Sequence, residues 1–217
     1  MRDDEKYISD LIADGEHQRQ DFKFEITSSK KIARTLVAFA NTDGGRLLIG
    51  VKDNGRIKGI ISDEEFYMID AAASMYCRPE VPFRGNRREA EGKTILEINV
   101  EPSEKRPHYA QDDRGKWVAY HRVRDNNFLA DYILLQVWKR EKRSSGTFIA
   151  YSENEKKVLE VLDLNESADF DTLKQETSLG KKALQNILIN LVSLGALKME
   201  FPEEKTIFLP DDPQQYI

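Results

Sequence analysis

The residues best suited to chemistry lie near the start of the chain, in the run Gly15-Glu16-His17-Gln18-Arg19-Gln20-Asp21-Phe22-Lys23. Asp21 and Lys23 are two apart, so on a strand their carboxylate and ammonium share one face. A metal-dependent nuclease requires such a pair. The carboxylate holds a divalent cation such as Mg2+ or Mn2+, and the lysine orients the attacking water or offsets charge. Glu16 and Asp53 would complete the site if the fold gathers them. Glu16 and Asp21 are five apart, so on one continuous strand they point to opposite faces; they converge only if Glu16 sits on the preceding turn. In a chain that is 33% charged, an acid two residues from a lysine also arises by chance. On residue types alone, a solvated strand face accounts for these side chains.

Other chemistries are poorly served. Gly44, Gly45 and Gly50 invite a phosphate loop, but Gly50 is followed by Val51-Lys52 rather than Lys-Ser/Thr, and no helix opens there. They are expected to serve a tight turn into a strand, which leaves ATP without a site. His17, His108, His121 and the single Cys77 show no metal-ligand spacing. No serine sits in a nucleophile elbow.

Basic residues cluster instead. Arg78, Arg84, Arg87 and Arg88 form one group, Lys139, Arg140, Lys142 and Arg143 another, and Arg122 with Arg124 an alternating pair. Arginine forks suit phosphates. Each group is equally a phosphate contact or a solvated face until three-dimensional convergence decides. Further on, Lys181, Lys182, Gln185, Asn186 and Asn190 fall on one side of a helix, and such side chains suit phosphates and base edges in a major groove.

The elements that must position these residues are condensed between Gly15 and Ile60. A leading helix over Asp3–Ala13 ends at Gly15. Phe22, Phe24 and Ile26 then alternate with Asp21, Lys23 and Glu25, the period of a half-buried strand. Ser28 and its neighbours cap a helix over Lys30–Ala40. Thr42-Asp43-Gly44-Gly45 turns the chain into Leu47–Val51, an apolar run expected to be buried on both faces. Asp53-Asn54-Gly55 makes a hairpin turn back into Arg56–Ile60. Ser62 and Glu65 form a capping box for a helix to about Tyr76. Strands follow near Phe83–Arg88, Thr94–Val100 and Lys116–Val123, then a helix over Phe128–Lys142.

Ser144-Ser145-Gly146 reads as a linker. Beyond it, Ser152 and Glu155 form a second capping box, and helices over Phe170–Glu176 and Lys181–Leu194 precede a hairpin of Ala196–Phe201 and Thr206–Leu209. Three helices and a hairpin in about sixty residues is the order of a winged helix-turn-helix.

With 217 residues, 40% of them hydrophobic, the chain can build two modest cores. No apolar run is long enough to span a bilayer. The opening MRDDEKYISD lacks the features of a secretory signal, and one cysteine cannot make a disulfide framework. The expectation is a cytoplasmic protein with no membrane partner. Net charge is −5. Residues 150–217 carry 7 Lys+Arg against 13 Asp+Glu, so the acidity resides in the tail, and any nucleic-acid footprint must be a local patch.

The strings Gly15-Glu16 through Asp21-Phe22-Lys23, Ala38-Phe39-Ala40-Asn41-Thr42-Asp43-Gly44-Gly45 and Leu48-Ile49-Gly50-Val51-Lys52-Asp53-Asn54-Gly55 resemble the Schlafen AlbA-like domain. Arg106-Pro107-His108-Tyr109 and Tyr120-His121-Arg122-Val123-Arg124 look like its second half, so the likeness covers roughly residues 10 to 130. The family is described as DNA-binding in bacterial proteins, many of them transcriptional regulators or divergent ATP-binding proteins. In animal Schlafen proteins the related domain is an RNA endonuclease with an acidic triad, onto which Glu16, Asp21 and Asp53 fall. Asp21 stands where Glu is usual, one methylene shorter, and Tyr120-His121-Arg122 departs from the family's tyrosine-hydrophobe-arginine pattern.

The expectation is therefore an α+β protein: a mixed-sheet Schlafen AlbA-like domain over 1–143 and a winged helix-turn-helix over 150–210. The favoured function is nucleic-acid binding, DNA-directed transcriptional regulation first, with Arg78, Arg84, Arg87, Arg88, Arg122, Arg124, Lys181, Lys182, Gln185 and Asn186 as contacts. This needs no cofactor and is compatible with a homo-oligomer reading two half-sites. The alternatives are a Mg2+- or Mn2+-dependent RNA or DNA endonuclease using Glu16, Asp21 and Asp53 with Lys23, and a protein-interaction scaffold.

Overall fold

A computed structural model describes residues 2–141, 152–202 and 205–211. The chain divides into two units, Met1–Ala130 and Asp131–Ile217.

The first unit opens with α1 (Arg2–Asp14), which ends at Gly15 with a φ of +76°. Strand β1 (Gln20–Lys23) follows, then α2 (Ser29–Asn41) and β2 (Gly45–Ile49). The Ser28 hydroxyl caps α2 by accepting the Lys31 N–H at 3.3 Å. Because α2 carries the chain back across the sheet, β1 and β2 pair in parallel, Asp21 opposite Leu47 and Phe22 opposite Leu48. Next come α3 (Glu64–Met75), the two-residue β3 (Cys77–Arg78), β4 (Arg84–Ala90) and β5 (Lys93–Val100). Strands β2, β5 and β4 pair antiparallel, so the sheet is mixed, in the order β1-β2-β5-β4. Short strands β6 (Tyr109–Gln111) and β7 (Trp117–Val118) join β3, and β8 (Tyr120–Val123) forms a hairpin with β9 (Asn126–Leu129).

The strand period sorts side chains between two cores. Phe22, Leu48 and Ile95 pack under Ile8 of α1 on one face. Leu47, Ile49, Leu96 and Ile98 pack against Leu36, Val37 and Phe39 of α2 on the other, together with Ile69 and Ala73 of α3. Helix α2 is buried round most of its circumference because the sheet lies on one side and α3, β6 and β8 on the others. Asn41, at its last turn and 1% exposed, ties in the later chain: its amide donates to the His108 and Tyr120 carbonyls, each at 2.9 Å, and its oxygen accepts the His108 N–H at 2.7 Å.

Several sequence expectations are corrected. The segment 51–57 closes through a single Val51–Ile57 bridge rather than a ladder. Ser62 accepts the Glu64 N–H at 3.2 Å, and α3 starts after Asp63 without a side-chain cap, so no capping box forms there. The strand expected over Lys116–Val123 breaks at Ala119, and its halves pair with different partners. Phe128 and Leu129 are not helical; they pair with His121 and Tyr120 in β9.

The second unit begins with α4 (Tyr132–Glu141), where Asp131 accepts the Leu134 N–H at 2.9 Å and sets the start. Its apolar positions Ile133 and Val137 join Val158, Leu162, Leu173 and Leu188 in a separate core. The first unit therefore ends at Ala130, not at residue 143, because α4 has its apolar stripe in the second core. The linker expected at 144–146 lies outside the described residues, as do Lys142 and Arg143. Helix α5 (Glu153–Asn165) has the expected Ser152/Glu155 capping box. Then come β10 (Ala168–Asp169), α6 (Phe170–Thr177), α7 (Lys181–Ser193), β11 (Leu197–Glu200) and β12 (Ile207–Pro210), the strands pairing antiparallel in the order β10-β12-β11. No helix among the described residues is long and apolar enough to cross a membrane.

Candidate functional site: a carboxyl pair at the sheet edge

Strand β1 is an edge strand, and its partnering explains the site. The Arg19 and Lys23 carbonyls accept the Arg46 and Gly50 N–H groups at 2.8 Å, so alternate residues face the neighbouring strand. Gln20 and Phe22 point their peptide groups outward, where an open edge would leave them unpaired. Side chains and a tight turn fill those positions. Glu16 accepts the Phe22 N–H at 2.8 Å, Lys23 donates to the Phe22 carbonyl at 2.7 Å, and Arg122 donates to the Gln20 carbonyl at 2.9 Å. His17 exchanges both backbone hydrogen bonds with Gln20 at 3.0 and 3.1 Å. That turn lifts Glu16 off the strand axis, which lets it meet Asp21 despite the five-residue spacing.

The Glu16 carboxyl lies close enough to that of Asp21 for the two to interact. Burial pushes the Glu16 carboxyl up to about 7, and the neighbouring Asp21 side chain, as a hydrogen-bonding group and as a negative charge, adds to the rise. The Phe22 N–H and Lys23 oppose it. Asp21 is 4% exposed, with the Lys23 ammonium at 3.0 Å and the Arg122 guanidinium at 3.7 Å. Asp21 is thus buried, which corrects the solvated-face reading. The arrangement can hold a proton between two carboxyls near neutrality and place a lysine beside them, the equipment of an acid–base pair.

It does not assemble the three-carboxylate set. Asp53 lies exposed on the 51–57 loop. Among the described residues no three His, Cys, Asp or Glu side chains gather as a metal site requires. The Asp21 carboxylate is already engaged by two cations, so the residues present do not fit Mg2+ or Mn2+ held by Glu16, Asp21 and Asp53.

Arg122, expected on phosphate, is instead a buried structural residue with a fully covered side chain. Its guanidinium donates to the His17 carbonyl at 3.2 Å and to Asn127 at 3.1 Å, as well as to Gln20, and lies 4.8 Å from the Phe39 ring centroid. Burial lowers its pKa, and Asp21 and Glu16 work against that fall. Gln18 completes the lock, donating to Asp43 at 2.8 Å and to the Arg122 carbonyl at 3.0 Å while accepting the Arg124 N–H at 2.7 Å. Sequence reasoning missed Gln18 and Gln20; their only signal was long amide side chains flanking an edge strand.

The remaining predicted contacts are dispersed. Arg84 pairs with Glu101 and Arg87 with Asp63, both pairs exposed and on opposite faces of β4. Arg88 reaches Glu97 at 2.9 Å and Asp4 at 3.0 Å beneath α1. Burial would raise the Glu97 carboxyl, but hydrogen bonds from Tyr7, Arg88 and Asn99 hold it below the usual range. Arg78 stacks over Trp117 at 4.2 Å. Arg124 lies exposed on the β8–β9 turn. In the second unit, Lys181, Lys182 and Asn186 are exposed on α7, and half-buried Gln185 lines a hollow of about 330 Å³ with Lys174, Phe170 and Asp131. Gly44 and Gly45 serve packing: a Cβ on Gly45 would lie 2.3 Å from the Phe39 ring. Burial pushes the Cys77 thiol up to about 12, with Glu80 adding to it, so this cysteine is no nucleophile.

Comparison with known proteins gives the family. No curated protein matches the chain, whereas 21 chains of solved structures do. One is the DIP2311 protein of Corynebacterium diphtheriae, 21% identical with a TM-score of 0.46, the match covering 68% of this chain but only 33% of that one. Another is the N-terminal domain of a protein from Nitrosomonas europaea related to the DNA helicase RecG, 20% identical with a TM-score of 0.42, covering 69% of this chain and 95% of that one. Residues 16–131 match the family described as Schlafen, AlbA_2. From Glu16 at the carboxyl pair to Asp131 at the start of α4, this chain is a member of the Schlafen AlbA_2 family.

Proposed function

We propose that this protein binds nucleic acid, with DNA as its target and transcriptional regulation as its role, and that its second unit is a winged helix. The order α5-β10-α6-α7-β11-β12 with a β10-β12-β11 sheet supports the winged-helix reading. Helices α6 and α7 are separated by Ser178, Leu179 and Gly180, with Ser178 left-handed at a φ of +55°. One observation carries the proposal. Helix α7 buries Leu184, Ile187, Leu188 and Leu191 while exposing Lys181, Lys182 and Asn186 in its first two turns. A recognition helix presents that face to a major groove.

The test is fluorescence anisotropy on a duplex of random sequence and on duplexes selected from a library. Changing Lys181 and Lys182 together to Ala should weaken both and reduce the salt slope by about two. Binding that ignores this double change would sink the proposal. A homodimer reading two half-sites would add a spacing preference near one helical turn.

A second reading, hydrolysis of a nucleic-acid strand at Glu16 and Asp21, is favoured by the raised Glu16 carboxyl next to Asp21 and by Lys23 beside it. It is checked by incubating RNA and DNA with the protein in Mg2+, Mn2+ or EDTA. Cleavage lost in Asp21→Asn would support it, and intact substrate throughout would exclude it.

A further inference from the structure

A second concentration of charge lies elsewhere on the first unit and has no part in the carboxyl pair. Phe24, Lys52, Arg56, Ile57, Lys58 and Lys93 line a hollow of about 350 Å³. Four cations and no acid line it, in a chain whose net charge is −5. The Lys58 ammonium stands 3.8 Å from the Phe24 ring centroid and that of Lys52 4.9 Å. Glu25 meets Lys58 at 3.2 Å and Glu91 meets Lys93 at 4.0 Å, both outside the lining. Among the described residues, Lys52 and Arg56 have no carboxylate within ion-pairing distance.

The cations are held by backbone rather than by floppy chain. Lys58 and Gly59 both donate their N–H groups to the Gly50 carbonyl, at 2.8 and 2.9 Å, and Ile60 donates to Thr94 at 2.7 Å. Lys52 donates to the Arg56 carbonyl at 3.0 Å, closing the loop between them. The Lys93 ammonium donates to the Ile57 carbonyl at 2.8 Å. A Cβ on Gly50 would meet Gly59 at 2.9 Å, so the two ends of the loop touch at glycines. A rigid, low-lying set of cations focuses potential onto an anion and costs little to order on binding.

We infer that this hollow binds the phosphate of a nucleotide unit, with Phe24 as the wall that receives the ring attached to it. Lys52 and Arg56 neutralise the phosphate, and Lys58 and Lys93 form the floor. Lys52, the more loosely seated of the two ammoniums over Phe24, moves to the phosphate, and the ring face it leaves takes the base. The unit bound is either a free nucleotide or one residue of a single strand; both offer the same phosphoester and ring. The site extends nucleic-acid recognition to the first unit and does not depend on α7.

The experiment is a binding titration at low salt with three probes: inorganic pyrophosphate, adenosine monophosphate and a short oligothymidylate. The protein is compared with Arg56→Glu, Lys52→Ala and Phe24→Leu, each first shown by thermal melting to be folded. Arg56→Glu is expected to weaken nucleotide-bearing probes about tenfold and Lys52→Ala about threefold, from loss of close charge contacts. Phe24→Leu should weaken the two probes with bases and spare pyrophosphate. Weakening of both monophosphate and oligothymidylate assigns the site to free nucleotide, and weakening of oligothymidylate alone assigns it to a strand; either supports the inference. The Lys181→Ala/Lys182→Ala protein should show the same Arg56 dependence, which separates this site from α7. No binding of any probe overturns the inference, as does binding indifferent to Arg56 and Lys52. Pyrophosphate binding indifferent to Phe24 with no base-bearing probe bound overturns it as well.

Discussion

The Arg122 guanidinium lies 3.7 Å from the Asp21 carboxylate with its own side chain wholly buried, so the residue that looked free for phosphate instead closes the edge of β1. It serves Gln20, His17 and Asn127 at once, and no shorter or single-headed cation can reach all three. Arg122→Met should cost about 3–5 kcal/mol, because it takes away one of the two cations beside the buried Asp21 together with the guanidinium bonds to the Gln20 and His17 carbonyls and to Asn127. Arg122→Lys should recover only part of that. Urea denaturation measures both, and a loss below 1 kcal/mol for Arg122→Met would refute the assignment.

Asn41→Ala should cost about 3 kcal/mol, since it leaves the buried His108 N–H and two carbonyls without partners. Amide hydrogen exchange should show lost protection first at His108 and in β8. Uniform loss across the unit would argue that Asn41 acts only through global stability.

The Glu16 carboxyl fixes a pH dependence. Its folded pKa of about 7 exceeds its unfolded value of about 4.5, so the folded state holds the proton more tightly. The stabilisation is fully present below pH 4.5 and is lost as pH rises through 7. Glu16→Gln keeps the acceptor for the Phe22 N–H but removes this titration. Its stability should therefore rise relative to the parent across that window. A carboxyl-carbon NMR titration of Glu16 with a midpoint near 4.5 would contradict the assignment.

Gly45→Ala should destabilise the first unit by about 1–3 kcal/mol, because the added carbon meets the Phe39 ring at 2.3 Å in a packed core. Gly180→Ala, with nothing within 4 Å, is the matched control and should change stability little. Thermal melting of the two proteins compares them directly.

What the sequence discloses follows from range. The stripe Ile32, Leu36, Val37 marks α2, and the run Leu47–Ile49 marks β2, because a buried helix and a buried strand impose their own periods. The Ser152/Glu155 box marks α5 because both partners lie within one turn. Asp21 was misread because what buries it, Arg122 on β8, lies about a hundred residues away. Phe128 and Leu129 are hydrophobic at positions that also fit a helix, and only their pairing with His121 and Tyr120 makes them strand. The carboxyl pair itself was half legible: the residue types are in view, but their meeting depends on the His17–Gln20 turn. Asp53 shows the reverse, a residue whose family position is plain and whose side chain remains outside the pair.

The closure of β1 also decides how this protein can be extended by another chain. A foreign strand arriving beside Gln20 and Phe22 would have to displace Glu16, Lys23 and Arg122 from peptide groups they already occupy. The other margin of the sheet is β4, where Arg84, Arg87 and Arg88 stand as charged gatekeepers. The first unit is thereby guarded at both ends of its principal sheet, so its encounters with partners are directed to faces and loops rather than to strand exchange.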